Sequence, residues 1–317
     1  MQTQITKRPL IILTGPTAIG KTALSLKLAK AVNGEIISAD SMQVYQLMDI
    51  GTAKIMPEEM GGIPHHLIDV LEPTKDFNVV IFQKMAKNAM EEIYAKGKIP
   101  IITGGTGFYI QALLYDISFE ETEVSAYREE LTAYYNKYGA HALHERLKEI
   151  DSVSYREIHE NNIKRVIRAL EFYHETGYPI SKHNTEQKKK ESPYQFVYFV
   201  LNDDRGLLYE RIEKRIDRMI EQGLVDEVSK LLEYGCTKDM VSMQGLGYKE
   251  IIPYLDGECS LEEAVYILKR DTRHFAKRQL TWFRREKDVT WVEKSLYASE
   301  EEMLQSMLAA LSKEQII

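Results

Sequence analysis

Gly15-Pro16-Thr17-Ala18-Ile19-Gly20-Lys21-Thr22 fits the pattern GxxxxGK[ST], and the residues on either side leave it little choice of fold. Before it, Pro9–Thr14 (PLIILT) is a short, continuous apolar run, the pattern of a parallel strand buried on both faces. After it, Leu24, Leu28 and Val32 recur at helical spacing through Lys21–Val32. Strand, glycine-rich turn and helix in that order make a P-loop. Its backbone N–H groups and the helix start face a polyphosphate. Lys21 adds a point charge, and the Thr22 hydroxyl is available to Mg²⁺. The motif predicts phosphate without saying which molecule carries it.

Further strand-like runs follow at Glu35–Ser38, His66–Val70, Ile99–Thr103 and Phe196–Leu201, with a long helical stretch at Val79–Lys96. Strands alternating with helices predict an α/β fold with a P-loop NTPase-like parallel sheet, covered on both faces. The alternation stops near Asp116. From Glu121 to Lys190 only helical patterns occur, and then FVYFVL at 196–201 resumes the buried-strand signature. The expected organisation is a core of residues 1–120 and 191–317 interrupted by a helical insertion at 121–190. Lys188–Lys190 with Glu191, Ser192 and Pro193 reads as the exit linker. After the last strand the pattern is helical to the end, including an amphipathic pair over Arg211–Leu232 broken near Gly223.

Bulk properties narrow the class. With 44% hydrophobic and 28% charged residues, the chain reads as globular, not disordered. Two distant cysteines, Cys236 and Cys259, predict neither a disulfide framework nor a zinc site. The apolar run after the polar N-terminus is too short for a signal peptide, and nothing reaches membrane-spanning length. The expectation is a cytoplasmic monomer with no membrane partner.

Four more features carry chemistry. Asp40-Ser41 follows the second strand, where ligand-facing groups of parallel sheets gather. A carboxylate there binds metal, acts as a base or caps a following helix, and the local sequence leaves all three open. Thr103-Gly104-Gly105-Thr106-Gly107 closes another strand and is either a ligand-hugging loop or a plain turn. Three such loops at three strand ends converge on one rim. Arg211, Arg215 and Arg218, spaced four and three apart, share a helix face that reaches a phosphate or only solvent. Finally, Lys269–Lys287 holds eight Lys or Arg against two acids, a local charge of +6 in a chain of net −7. With Phe275, Trp282 and Phe283 interleaved, this has the composition of a nucleic-acid contact, the bland alternative being a balanced surface helix.

Taken together, the motifs resemble the tRNA dimethylallyltransferase (isopentenyltransferase) family over nearly the whole chain. The carrying stretches are GPTAIGKT (15–22), ISADSMQVYQLMDIGTAK (37–54), HHLIDV (65–70), GGTGFYI (104–110), NNIKRVIRALE (161–171), MQGLGYKEI (243–251) and TRHFAKRQLTWFRR (272–285). The resemblance implies a P-loop core that binds the diphosphate of dimethylallyl diphosphate, not ATP for hydrolysis, with Mg²⁺ as cofactor. It implies a helical insertion that grips the tRNA anticodon stem-loop, and an acceptor adenosine 3′ of the anticodon. Asp40 then matches the catalytic aspartate, Thr106 a threonine near the reaction centre, and Arg215 the diphosphate-facing arginine, with Arg211 close by. Asp40, Ser41, Met42 and Gln43 match the contact with the target adenine. Arg128, Asn161, Asn162, Ile163, Lys164 and Arg165, and Arg273, Lys277, Arg278 and Gln279 within Thr272–Leu280, fall in tRNA-contacting regions. The zinc-finger extension of some eukaryotic relatives is missing, as in compact bacterial members. The rival expectations are a P-loop small-molecule kinase, a prenyltransferase acting on AMP, and a non-catalytic RNA-binding protein. The basic segment disfavours the kinase, and intact Lys21, Thr22 and Asp40 disfavour the last.

Overall fold

The computed structural model describes residues 7–119, 126–187 and 189–317. Residues 121–125 and Lys188, expected at the ends of the insertion, lie outside them. The contacts divide the chain into two units, residues 1–114 with 193–317, and residues 115–192.

In the first unit, β1 (Arg8–Thr14), β2 (Gly34–Ser38), β3 (His65–His66) and β4 (Ile99–Gly104) alternate with α1 (Lys21–Ala31) and α2 (Val79–Ala95), and α3 (Gly107–Leu114) follows. The second unit contributes α4 (Ala126–Glu145), α5 (Leu147–Ile150), α6 (Ser152–Glu157), α7 (Ile163–Thr176) and α8 (Ile180–Gln187). The first unit resumes with β5 (Tyr194–Asn202), α9 (Arg205–Glu221), α10 (Leu224–Glu233), α11 (Tyr248–Leu255), α12 (Leu261–Phe283), β6 (Val289–Glu293) and α13 (Glu300–Lys313).

All pairings in the six-stranded sheet are parallel, in the order β3-β2-β4-β1-β5-β6. Leu10–Leu13 of β1 and Val197–Leu201 of β5 are almost wholly buried, as continuous apolar runs in a two-sided sheet require. Insertion of α4 to α8 before β5 does not disturb the register, because β5 pairs directly with β1 from Arg8↔Tyr194 to Thr14↔Val200. Chain direction then brings the carboxyl ends of β1, β2 and β4 to one rim.

Two expectations need correction. The chain is not helical throughout after β5, because Val289–Glu293 adds β6 at the sheet edge. Only Val292 of that strand is fully buried, so it lacks the unbroken apolar run that betrays a central strand. The run His66–Val70 is not a strand beyond His66: Leu67 and Asp69 take left-handed φ of 63° and 58°, which turns the chain out of the sheet. The amphipathic pair is present as α9 and α10, with Gly223 at φ 98° between them.

The second unit has its own core of Leu131, Leu143, Leu147, Val166, Ile167, Ala169 and Leu170. Buried Glu171 accepts from Arg128 Nε at 2.9 Å and Nη2 at 2.5 Å. Asp151 caps α6 through the N–H of Ser154 and also accepts from Ser181.

Candidate active site

The P-loop joins β1 to α1. Its lysine folds back on the loop: Lys21 Nζ donates to the carbonyls of Gly15 and Pro16, each at 2.9 Å. Burial lowers the Lys21 pKa to about 8, with Arg215 pushing the same way and Asp40 opposing. Ala18 adopts φ 61°, an unfavourable left-handed conformation held by the surrounding turn. Thr22 is exposed at the start of α1.

The neighbouring loops are tied to this one through backbone. Thr14 Oγ1 donates to Gly104 O at 2.6 Å, Ala39 N to Thr103 O at 2.7 Å, and Thr106 N to Ala39 O at 3.2 Å. A side chain at Gly104 would put its Cβ 2.3 Å from Ala39 O, so only glycine lets β4 pass this close to the end of β2. Thr106 stands half-buried on that loop, just before α3.

Asp40 is half-buried beyond β2. Its Oδ1 accepts from the N–H groups of Met42 (2.9 Å) and Gln43 (3.3 Å), so the carboxylate caps a turn and not the helix expected after it. Capping and substrate handling are compatible, because both bonds use one oxygen. Half-buried Ser41 and Met42 follow. Gln43 Nε2 donates to the carbonyls of Thr52 (3.3 Å) and Ala53 (3.2 Å), with its Oε1 3.5 Å from the donating Ser38 hydroxyl.

Arg211, Arg215 and Arg218 of α9 do not act together. Arg215 reaches the P-loop, with long hydrogen bonds from Nη1 to Thr17 Oγ1 (3.4 Å) and from Nη2 to Thr52 O (3.5 Å). Its pKa is lowered by burial, Asp40 opposing. Arg211 is instead ion-paired with nearly buried Asp203 at the end of β5. Arg218 is exposed and donates to Lys214 O of its own helix. A helical face about two turns long cannot aim every member at one point.

The basic segment forms the second half of α12, and its residues separate by burial. Lys277 and Arg278 are exposed and line a groove with His274, Thr281, Trp282 and Arg285. Arg273 is paired with Glu213 of α9 at 2.6 Å. Gln279 is buried on the opposite side of the helix. Its Oε1 accepts from Thr17 N at 2.9 Å and its Nε2 donates to Gly105 O at 3.0 Å, joining two rim loops. The site therefore receives Gln279 from the helix that carries the basic groove. Lys294, just past β6, donates to Ile19 O at 3.2 Å on the outside of the P-loop. Nothing local in the sequence marks Lys294, which directly follows the overlooked edge strand.

In the second unit, Asn161, Asn162, Lys164 and Arg165 are exposed around the start of α7. The helix dipole there favours an anion such as a backbone phosphate. Ile163 packs against the helical core, and the Arg128 guanidinium is taken by Glu171.

Comparison with known proteins finds relatives along nearly the whole chain. The profile of IPP transferase matches residues 43–286, and that of isopentenyl transferase matches residues 9–75. The chain is 61% identical over 311 residues to a tRNA dimethylallyltransferase from Lachnoclostridium phytofermentans, covering 98% of this chain and 99% of that one. It is similar in structure to the full-length tRNA isopentenylpyrophosphate transferase of Bacillus halodurans, with TM-score 0.72 and 44% identity over 98% of each chain. A eukaryotic dimethylallyltransferase acting on tRNA gives TM-score 0.83 at 28% identity, covering 98% of this chain and 79% of that one.

Proposed function

The chain belongs to the IPP transferase family, and from that premise we propose that it transfers a dimethylallyl group from dimethylallyl diphosphate to tRNA. The acceptor is the exocyclic amine of the adenosine immediately 3′ of the anticodon. The observation that carries this reading is a carboxylate, Asp40, within electrostatic reach of two half-buried cations, Lys21 and Arg215, at a phosphate-binding loop.

In the reaction, the allylic C–O bond breaks and its electron pair leaves with the diphosphate. P-loop amides, Lys21 and Arg215 stabilise the charge that builds there, which preorganised donors in a water-poor site do best. The adenine amine is a weak nucleophile because its lone pair is delocalised into the ring. As its nitrogen bonds to the allylic carbon, one amine proton passes to Asp40, whose Oδ2 is left open by the two bonds at Oδ1. The base leaves its stack to reach this point, as in other base-modifying enzymes. Thr106 borders the reacting groups, and Ser41, Met42 and Gln43 line the adenine side.

The exposed Thr22 hydroxyl is one hard oxygen beside a phosphate site, which suits a Mg²⁺ carried mainly by substrate phosphates and water. Such an ion, held through Thr22, would supply further neutralisation of the charge on the leaving group. The exposed cations of α12, and Lys164 and Arg165 of α7, are the groups that meet tRNA phosphates.

Incubation with labelled dimethylallyl diphosphate, and separately with tRNA, AMP and a kinase substrate with ATP, tests the assignment. Label in tRNA digests, at the adenosine after the anticodon, is the expected result. Label transferred only to AMP, or phosphoryl transfer from ATP, overturns it.

A further inference from the structure

Two of the matching stretches have no task in the reaction as described: the end of the first, Asp49-Ile50-Gly51-Thr52-Ala53-Lys54, and the segment 243–251. They meet at one side chain that no local pattern singles out. Glu227 of α10 accepts three consecutive backbone N–H groups: Asp49 at 2.9 Å and Ile50 at 2.7 Å on Oε2, and Gly51 at 3.0 Å on Oε1. Oε1 also accepts the Tyr248 hydroxyl at 2.7 Å. Tyr248 is wholly buried, and its ring fills the space beside Gly51, where an added Cβ would lie 2.6 Å from Tyr248 Cζ.

What this carboxylate holds is the loop whose carbonyls bond the substrate-handling side chains. Thr52 O receives both Gln43 Nε2 and Arg215 Nη2, and Ala53 O receives Gln43 Nε2 again. Three converging amides need an ionised acceptor with two oxygens, and no neutral side chain accepts that many bonds. The loop is also closed independently: buried Lys54 bonds Asp49 Oδ1 (2.6 Å), Asp69 Oδ1 (2.7 Å) and Tyr45 O (2.6 Å). Loss of Glu227 therefore leaves the loop attached but frees its peptide planes to rotate.

We propose that Glu227, fixed by Tyr248, is a positioning residue that sets Gln43 on the adenine side and Arg215 on the diphosphate side through the single loop 49–53. This rests on the function proposed above. The role explains why the segment containing Tyr248 and the end of the segment containing Gln43 belong to one pattern although about 200 residues part them.

The test is a double-mutant cycle in steady-state transfer to tRNA, with wild-type activity as its reference. Glu227→Gln keeps the shape but places an NH₂ against N–H donors. It is expected to lower kcat about 10- to 100-fold with tRNA binding in a filter assay unchanged, and Tyr248→Phe to lower it severalfold. Combined with Gln43→Ala, the loss in Glu227→Gln should fall well short of the product of the two single losses, because both act on one geometry. Multiplying losses, or an unchanged kcat in Glu227→Gln, overturn the proposal while leaving the enzyme's function intact. If Glu227→Gln does not fold, the same cycle with Tyr248→Phe decides it by the same criterion. An inactive wild type would instead count against the function itself.

Discussion

The two ends of the parallel sheet handle buried charge in opposite ways. At the amino end, the carboxylate of Glu35 on β2 is almost fully buried, yet it receives Lys98 (2.9 Å), His66 (2.9 Å) and Lys96 (3.0 Å). Burial alone would raise its pKa, but those bonds hold it down at about 2. At the carboxyl end, Lys21 is answered by two carbonyl oxygens, and burial drives its pKa down to about 8. Arg215 is likewise lowered by burial and makes only long bonds to Thr17 and Thr52. One end has spent its charge on the fold. The other keeps positive charge for a ligand, because a buried cation short of counter-charge gains most when an anion arrives.

That contrast can be broken first at the carboxylate of the rim. Asp40→Asn keeps the turn-capping oxygen but removes most proton affinity, so kcat should fall about 10²–10⁴-fold with Mg²⁺ dependence little changed. Activity recovered simply by raising Mg²⁺ would make Asp40 a metal-site residue instead. Lys21→Ala should come next, lowering kcat/KM for dimethylallyl diphosphate by about 10²-fold, the cost of one preorganised charge-stabilising donor. Filter binding of tRNA should be nearly unchanged, and a parallel loss there would mean that Lys21 serves more than the diphosphate.

The amino end should fail in a different currency. Glu35→Gln removes the charge that two lysines and a hydrogen-bonded histidine share, and should destabilise the protein by about 2 kcal/mol in denaturant titrations while kcat per folded molecule stays constant. Because the folded pKa lies below the ordinary carboxyl value of 4.5, this stabilisation is full above that value and lost as pH falls toward about 2. A loss of kcat without loss of stability would erase the distinction between the two ends.

Smaller effects sharpen it. Under the proposed function protonated Lys21 binds the diphosphate, so kcat/KM for that substrate should decline above pH about 8, by at most tenfold per pH unit. Lys21→Arg should flatten that limb. Smallest is the effect on tRNA affinity of reversing exposed charge on α12. Lys277→Glu with Arg278→Glu should reduce the log–log salt slope of tRNA binding by about two, one per lost phosphate contact. Arg273→Glu should change the slope less and stability more, since Arg273 already pairs with Glu213. An unchanged slope in the double reversal would make this half of α12 a structural helix.

What the sequence by itself determined is whatever is written in local period and composition. The P-loop is fixed by an eight-residue pattern between a buried run and a helical repeat, and the central strands β1, β4 and β5 by continuous apolar stretches that only a two-sided sheet accommodates. Strand direction then sent the three loops to one rim, so Lys21, Asp40 and Thr106 could be grouped before any coordinates. The edge strand β6 was hidden because half of it faces outward, and β3 was overextended because the left-handed turns at Leu67 and Asp69 leave no mark in hydrophobicity. Tertiary structure alone decided which polar partner each side chain found. It chose Arg215 over Arg211 for the P-loop, turned Gln279 inward to join two loops while Lys277 and Arg278 face solvent, and set Glu227 against amides 176 to 178 residues away. A hydrogen bond is directional and short, so its partner depends on where distant segments come to rest to within an ångström. Periodicity specifies elements and faces, not positions at that scale.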